Sequence, residues 1–290
     1  WDVEITYESQ PAEEAELDGD LLGSAGAMRK TLRMQWHLPD APVRQSIHLY
    51  PHSKRLDFVT EVDWRPRHRM LRAEFEVDVH SDHASYEIQF GLIERPTHRN
   101  TTWDFAQYEV CGHRFADLSE PDRGVALLND GKYGHKIHGN TISLNLLRSP
   151  TSPDPDADLG EHHFTYSLLP HVGPLAGSSV PAEARCLNQP PIVVAGARDE
   201  EAVFPVAAPD ADNIVIEAIK RAEDDANAII VRLYESIGVR TKTRMALRGA
   251  PAAVIASNVL EQPGEALAIE DGAVPLSFRP FEIKTLILKR

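Results

Sequence analysis

The run L-D-F-V-T-E-V-D-W at residues 56–64 decides the fold class. Leu56, Phe58, Val62 and Trp64 place apolar side chains on one face of it, and Pro66 ends it. Successive side chains of a β-strand point to opposite faces, so this period of two is typical of a strand with one buried face. The run L-R-M-Q-W-H-L at residues 32–38 repeats the pattern. Both runs predict antiparallel strands packed on a core.

The same pattern recurs along the chain in short segments separated by Pro, Gly, Asn and Asp. Such segments are typical of β-sandwiches, and we predict an all-β fold with little helix. A large antiparallel β-sandwich is expected over residues 1–172 and a small C-terminal β-sandwich over residues 213–290. Residues 173–212 are expected to connect them, because residues 173–191 are rich in Gly, Ser, Ala and Pro and indicate a surface connection.

Three shorter segments carry local predictions. Residues 215–227 contain good helix formers but begin with β-branched residues, so a strand followed by an acidic turn is favoured. Residues 129–134, N-D-G-K-Y-G, indicate a hairpin connection, with an interface role for Lys132 and Tyr133 as the alternative. The opening W-D-V-E-I-T-Y resembles the middle of a strand, so the chain is expected to be a fragment of a longer protein.

Composition and charge exclude several classes of partner. The 290 residues are 42% hydrophobic, enough for sizeable cores, and carry a net charge of -14. This charge argues against nucleic acid and against an anionic membrane surface, because both attract basic proteins. The two cysteines, Cys111 and Cys186, lie far apart in the sequence and are expected to be free thiols. They predict a reducing compartment and a cytoplasmic protein.

Acidic residues and histidines form no convincing metal motif. Asp154, Asp156 and Asp158 alternate in P-D-P-D-A-D. These carboxylates suit a proline-stiffened surface loop, contact with sugar hydroxyls, or calcium. His162 and His163 are adjacent and should point to opposite faces of a strand, so they cannot easily bind one metal. We predict no metal in this chain.

Residues 95–104, R-P-T-H-R-N-T-T-W-D, are denser in polar and aromatic groups than a simple turn requires. Arginine and tryptophan together suit either sugar recognition or a domain interface, and the interface is favoured. We predict an exposed aromatic patch around Trp103, Phe105 and Tyr133 that packs on a neighbouring copy. A homo-oligomer is therefore possible.

Five blocks in order carry a family resemblance. Residues 86–104 read Y-E-I-Q-F-G-L-I-E-R-P-T-H-R-N-T-T-W-D. The later blocks are A-D-L-S-E, G-V-A-L-L-N-D-G-K-Y-G, L-L-R-S-P-T-S-P-D-P-D-A-D and H-H-F-T-Y-S-L-L-P-H, which together end at His171. The chain resembles the C-terminal β-domain of glycoside hydrolase family 38 α-mannosidases of the cytosolic-type branch.

The resemblance implies a parent enzyme that is a retaining, zinc-dependent α-mannosidase acting on terminal α-D-mannose. In that family the zinc ligands and the nucleophile belong to a catalytic α/β domain of the same polypeptide. The resemblance therefore assigns no catalytic residue and no zinc to this chain. The one H-x-D motif, His80-Ser81-Asp82, lacks the context of the family's zinc motif and is interpreted as a turn.

The resemblance also implies residues on the substrate side of the pocket. A basic residue in the segment matching L-L-R-S-P reaches the pocket in related mannosidases, which selects Arg148. Asp2 and Asp154 are weaker candidates for contact with mannose-containing glycans. Two alternatives stay open: a free-standing, lectin-like carbohydrate-binding module, and a structural domain whose loops never touch sugar.

Overall fold

The computed structural model describes residues 3–193, 195–196, 206 and 208–289. The chain divides into two compact units. The first unit comprises Trp1–Glu87 with Ile93–Pro191, and the second comprises Ile88–Leu92 with Ile192–Arg290. The domain boundaries at residues 172 and 212 stay predictions.

The first unit is built from two antiparallel sheets. Its strands are β1 (Glu16–Ala25), β2 (Lys30–His37), β3 (Val43–Leu49), β4 (Leu56–Trp64), β5 (Met70–Glu76), β6 (His83–Ile88), β7 (Gly91–Pro96), β8 (Val110–Cys111), β9 (Phe115–Ser119), β10 (Arg123–Asn129), β11 (Gly134–His138), β12 (Thr141–Arg148) and β13 (Gly160–Val172). One sheet has nine strands in the order β1-β2-β3-β4-β13-β10-β9-β6-β7, and the other has four in the order β5-β12-β11-β8.

One cluster of buried side chains joins the two sheets. It includes Val62 and Trp64 from β4, Leu127 from β10, and Ile142 and Leu144 from β12. Alternate residues of β4, among them Phe58, Val62 and Trp64, face this core, as the sequence pattern predicts. The two packed antiparallel sheets confirm the all-β sandwich.

Three short helices interrupt the strands in the described residues. They are a 3₁₀ helix (Ile5–Ser9), α1 (Thr102–Phe105) and α2 (Val180–Asn188). The strand predicted for the opening W-D-V-E-I-T-Y is wrong from Ile5 onward, where the 3₁₀ helix begins. There the chain turns, with the amide of Tyr7 donating to the carbonyl of Glu4 at 3.0 Å. Trp1 and Asp2 lie outside the described residues.

The prediction of a surface connection over residues 173–191 is wrong at α2. Pro181 stands in the first turn of this helix, where its missing N–H costs no intrahelical bond. Val180 and Ala184 are fully buried, because α2 packs on β9 and β10. Burial of this apolar stripe stabilises a helix too short to be stable alone.

Residues 129–134 do not form the predicted hairpin connection. β10 pairs with β9 and β13, whereas β11 pairs with β12 and β8, so the segment passes from one sheet to the other. The residues of the segment nevertheless form a turn, as their types indicate. The side-chain oxygen of Asn129 accepts from the amides of Gly131 at 2.9 Å and Lys132 at 2.7 Å.

The described part of the second unit contains two smaller antiparallel sheets. Its strands are β14 (Ile214–Arg221), β15 (Ala228–Glu235), β16 (Thr241–Ala246), β17 (Ala253–Ser257), β18 (Pro263–Leu267), β19 (Ala273–Phe278) and β20 (Ile283–Lys289). Five strands follow the order β14-β15-β20-β17-β18, and β16 pairs with β19. Leu233, Met245 and Leu286 lie in the core that these sheets share. The strand and turn predicted over residues 215–227 are confirmed by β14 and the turn after it.

In the part of the chain that the structure describes, no helix is long and apolar enough to cross a membrane. Cys111 and Cys186 are both exposed and free, which confirms the prediction of two unpaired thiols.

Candidate functional site

Arg148 is the last residue of β12, at one end of the four-stranded sheet. β12 pairs with β5, and an irregularity between Asn145 and Leu147 shifts the register just before this end. A β-bulge of this kind re-aims the side chains that follow it. Arg148 pairs with Met70 and is half-buried.

Ser149, the residue after Arg148, is held by four hydrogen bonds. The hydroxyl of buried Ser149 accepts from the indole nitrogen of Trp64 at 2.7 Å and donates to the carbonyl of Pro66 at 2.7 Å. Its amide donates to the carbonyl of Arg69 at 3.0 Å, and its carbonyl accepts from the amide of His68 at 3.1 Å. These four bonds tie the end of β12 to the turn between β4 and β5. Arg148 therefore extends from a rigid backbone, as positioning of a ligand requires.

The loop after Ser149 is folded by its own aspartates. Asp158 accepts the amide of Arg148 at 2.8 Å through its carboxylate. Asp154 accepts the amide of Asp156 at 3.0 Å in an Asx turn. Asp156 forms an ion pair of 2.7 Å with Arg67, which also donates to the carbonyl of Pro155 at 3.0 Å. The structure therefore places Asp154 in the same loop as Arg148, where its carboxylate shapes a turn.

Asp2 lies outside the described residues, but the segment that follows it is anchored to the same four-stranded sheet. The hydroxyl of Tyr108 donates to the carbonyl of Val3 at 2.6 Å. The Tyr7 hydroxyl donates to Glu109 at 2.5 Å, and Arg72 of β5 donates to the same carboxylate oxygen. The segment is thus anchored on β5, the strand that pairs with β12 and so with Arg148.

Glu8 completes this anchor through two cations. Arg99 donates two hydrogen bonds to the Glu8 carboxylate, at 2.6 and 2.7 Å, and Lys136 of β11 approaches it to 2.7 Å. Hydrogen bonding from Arg99 lowers the pKa of Glu8 to about 2. Burial of the Tyr7 ring raises the pKa of its hydroxyl. At neutral pH Glu8 is therefore ionised and the Tyr7 hydroxyl is protonated, so these hydrogen bonds and ion pairs persist.

A polar cleft of about 540 Å³ lies at the opposite end of β12. It is lined by His80, Asp82, His98, Glu120 and Arg123, with further loop residues. β12 has 8 residues, so the cleft is about 20 Å from Arg148 on a rise of about 3.3 Å per residue. The cleft belongs to a different end of the sandwich.

The H-x-D motif lies in this cleft and is confirmed as part of the connection between β5 and β6. Asp82 pairs with the adjacent His83 at 2.9 Å, and the amide of His80 donates to Glu120 at 2.9 Å. Thr97 fixes the motif by donating to the carbonyl of Ser81 at 2.7 Å. His80 and Asp82 therefore bind different neighbours, and the motif is a structural loop.

A buried cluster of serine, histidine and aspartate lies near α2, but its geometry is not that of a nucleophile. Ser119 donates to Asp117, and His171 contacts the other oxygen of that carboxylate at 2.8 Å through Nε2. A catalytic serine would instead donate to the histidine, whose second nitrogen would bond the aspartate. This cluster stabilises the sheet beneath α2.

The histidines are spread across the sandwich. His162 is half-buried, with a ring nitrogen 2.9 Å from the carbonyl of Asp158, while adjacent His163 is exposed. His135 is fully buried, and His138 on the same strand is exposed. Across the described ranges, no three His, Cys, Asp or Glu side chains are arranged to hold a metal ion.

The three aromatic residues of the predicted patch are exposed. The exposed fraction is 82% for Trp103, 50% for Phe105 and 53% for Tyr133. α1 presents the first two, and a capping box between Thr101 and Asp104 fixes this short helix. Exposure of these aromatic rings is thus confirmed, while their packing on a neighbouring copy stays a prediction.

Two family models match the chain. The "Glycosyl hydrolases family 38 C-terminal domain" matches residues 1–156. The "Glycosyl hydrolases family 38 C-terminal beta sandwich domain" matches residues 213–286. The first of these contains Arg148 and Asp154, and the second contains most of the second unit.

Similar proteins are named α-mannosidases. The chain is 38% identical over 299 residues to Alpha-mannosidase G of Dictyostelium discoideum, covering 98% of this chain and 27% of that protein. It is 38% identical over 279 residues to human Alpha-mannosidase 2C1, covering 92% of this chain and 26% of that protein. The chain thus spans about a quarter of the length of these relatives.

A solved structure shares the fold. The crystal structure of an alpha-mannosidase from Enterococcus faecalis V583 superposes with a TM-score of 0.79 at 18% identity, covering 94% of this chain and 35% of that chain. The two family models match both sandwiches of the chain. This chain therefore belongs to glycoside hydrolase family 38 and corresponds to the C-terminal region of the proteins in that family.

Proposed function

We propose that this chain is the non-catalytic C-terminal portion of a retaining, zinc-dependent α-mannosidase, which hydrolyses terminal α-D-mannose residues. The observation that carries the proposal is the pair of family 38 C-terminal models matched at residues 1–156 and 213–286. The chain's part in this enzyme is to support the catalytic α/β domain of the same polypeptide and to form one wall of its sugar pocket.

Arg148 is the residue we assign to that wall. A guanidinium donates several hydrogen bonds in a fixed plane, which suits the hydroxyl groups of a sugar. Support comes from the fixed backbone around Ser149, which limits the positions that the Arg148 side chain can adopt. Asp2 is a second contact in this proposal, since the segment that follows it is anchored on β5, the strand that pairs with β12. Asp154 contributes the shape of the loop and, through its exposed side, glycan contact.

Zinc belongs, in this proposal, to the catalytic domain of the polypeptide. The described residues do not fit the ion, since no three suitable ligands come together in them. No step assigned to this chain therefore involves zinc. The exposed thiols of Cys111 and Cys186 support a reducing compartment, and we place the protein in the cytoplasm.

The test is Arg148→Ala in the full-length protein, assayed for hydrolysis of an aryl α-D-mannoside. Loss of a charged hydrogen bond to substrate is worth about 1.5–3 kcal/mol, so kcat/KM should fall roughly 10–150-fold. Arg148→Lys should lose less, because it keeps the charge. Arg44→Ala is the matched control, since Arg44 is an exposed arginine of β3 that pairs with Glu61 at 3.2 Å.

An Arg148→Ala enzyme with the activity of the Arg44→Ala control, and with unchanged unfolding, would remove Arg148 from the site.

The second candidate function is a carbohydrate-binding module. The polar cleft at the opposite end of β12 favours it, since carboxylates and imidazoles can bind sugar hydroxyls. Saturable binding of mannose by the 290-residue chain, abolished by Glu120→Ala and not by Arg148→Ala, would support this second function.

A further inference from the structure

A row of cations occupies the outer face of β16 in the second unit. Thr243 and Met245 of this strand are buried, while Lys242 and Arg244 are exposed. Arg240, directly before the strand, is exposed as well. Side chains two residues apart on a strand lie on one face, about 7 Å from each other. These three residues form what we call the basic face.

The basic face has few internal partners. Arg240 and Lys242 form no ion pair or side-chain hydrogen bond among the described residues. The Arg244 side chain donates to the carbonyl of Glu270 at 2.8 Å, and its backbone amide donates to the carboxylate of Asp210 at 2.8 Å, which places one carboxylate beside this end of the face. A cleft of about 540 Å³ adjoins the face and adds Arg279 and Lys284.

Among the residues that line this cleft, Glu282 supplies the one carboxylate. Glu282 lies 3.3 Å from Arg279 and 3.4 Å from Lys284. With Arg240 and Lys242, four cations line the cleft against this single anion. This local excess of positive charge contrasts with the net charge of -14 of the whole chain. Such a concentration of unneutralised cations favours an anionic partner.

The complementary pattern occurs at residues 14–20, which we call the acidic strand. Glu14, Glu16, Asp18 and Asp20 alternate with other residues there, and none forms an ion pair within the described part of the chain. β1, which begins at Glu16, is an edge strand that pairs only with β2. Every one of its residues is exposed.

The acidic strand is an unusual edge. Leu17 within it and Leu22, two residues beyond it in β1, have exposed fractions of 46% and 63%, although a solvated strand gains nothing from exposed leucines. Exposed apolar groups rimmed by charges are typical of a surface that contacts another protein. The strand thus offers carboxylates and apolar side chains to a partner.

We propose that the acidic strand of one copy lies along the basic face of a second copy. Glu16 and Asp18 stand two residues apart in β1, before the irregularity that follows Asp18, and Lys242 and Arg244 stand two residues apart in β16, so these two carboxylates match these two cations in spacing. Every molecule that carries the basic face also carries its complement, which makes a second copy the partner present at equal concentration. The contact joins two different surfaces of the same chain, and it is independent of the proposed function.

The test is a charge exchange followed by sedimentation velocity on the 290-residue chain and on the full-length protein. One variant is Lys242→Glu with Arg244→Glu, and the other is Glu16→Lys with Asp18→Lys. The unaltered protein should associate with increasing concentration in 50 mM NaCl, and 500 mM NaCl should weaken the association at least about tenfold. Each variant alone should weaken it by a similar factor, because its two surfaces then carry the same sign.

Mixing the two variants is the decisive measurement. The acidified face of the first variant then meets the basic strand of the second, and association should return to within about threefold of the unaltered protein. Arg44→Glu, on an exposed part of β3, should leave association unchanged. A mixture that fails to associate overturns the proposal, since the basic face then has another partner. A sedimentation coefficient that is independent of concentration at 50 mM NaCl also overturns it.

Discussion

Glu235 provides the sharpest test of how the second unit is held together. It is the last residue of β15, and its side chain is completely buried. No cation among the residues that the structure describes pairs with the carboxylate; it accepts five neutral hydrogen bonds instead. The donors are the amides of Ile237 (3.0 Å), Gly238 (2.8 Å), Val239 (3.1 Å) and Phe281 (2.9 Å), and the side-chain nitrogen of Asn213 (2.9 Å). These bonds close the turn that leads into β16 and the basic face.

Glu235→Gln keeps the size of the side chain and changes only its hydrogen bonding. Three donors face Oε2 and two face Oε1, so the new amide nitrogen must oppose at least two donors. A buried donor left unpaired costs about 1–3 kcal/mol. We therefore expect the free energy of unfolding of the second unit to fall by about 3–5 kcal/mol, a large part of the 5–15 kcal/mol typical of a domain.

The assay is urea unfolding followed by two signals. All four tryptophans occur before residue 104, so tryptophan fluorescence reports on the first unit, while far-UV circular dichroism reports on both. Glu235→Gln should move the midpoint of the circular dichroism transition of the second unit. Glu217→Gln, at an exposed position of β14, is the control and should change stability by less than about 0.5 kcal/mol. Equal stabilities of the two variants would refute the argument from buried hydrogen bonds.

Further predictions concern the first unit. Burial lowers the pKa of His135 to about 3; its folded pKa lies below its unfolded value near 6.5, so the stability it contributes is complete above that value and is lost as pH falls. Between pH 6.5 and 5 the first unit should lose about 2 kcal/mol of unfolding free energy; His135→Gln should reduce this loss and His138→Gln, at an exposed position, should not. A Cβ at Gly124 would lie within 2.6 Å of two ring atoms of His171, so Gly124→Ala should cost about 2–4 kcal/mol by separating the buried His171–Asp117 pair. Gly23→Ala, where nothing lies within 4 Å, should be nearly neutral in the same thermal unfolding measurement.

The strands that could be predicted from sequence are those with one buried face. β4 matches residues 56–64 because its alternation reflects burial, with Val62 and Trp64 in the core. β1 gives no such signal. All of its residues are exposed, and it is a strand only because its backbone pairs with β2. A pattern based on hydrophobic periodicity cannot detect a strand without a buried face.

α2 was missed for a different reason, since its support comes from distant parts of the chain. Arg55, directly before β4, forms an ion pair of 3.0 Å with Glu183 of this helix and another of 2.7 Å with buried Asp57. Contacts across 128 residues stabilise a nine-residue helix in a segment whose composition indicates a loop. Propensity is a weak guide where tertiary packing decides the structure.

The same distinction separates what the sequence tells about Arg148 from what only the fold supplies. The resemblance selects Arg148 through L-L-R-S-P, yet nothing in that motif indicates that Trp64 and Pro66 hold the following serine. Those bonds depend on β4 and β12 ending at the same edge of the sandwich, which is a property of topology. Arg67 and Asp156 likewise meet only because two loops leave that edge together. If Arg148 contacts substrate, its precision rests on these contacts, so Ser149→Ala should lower kcat/KM although the serine touches no substrate. Loss of unfolding free energy without loss of activity in that variant would separate the stability of the edge from the positioning of Arg148.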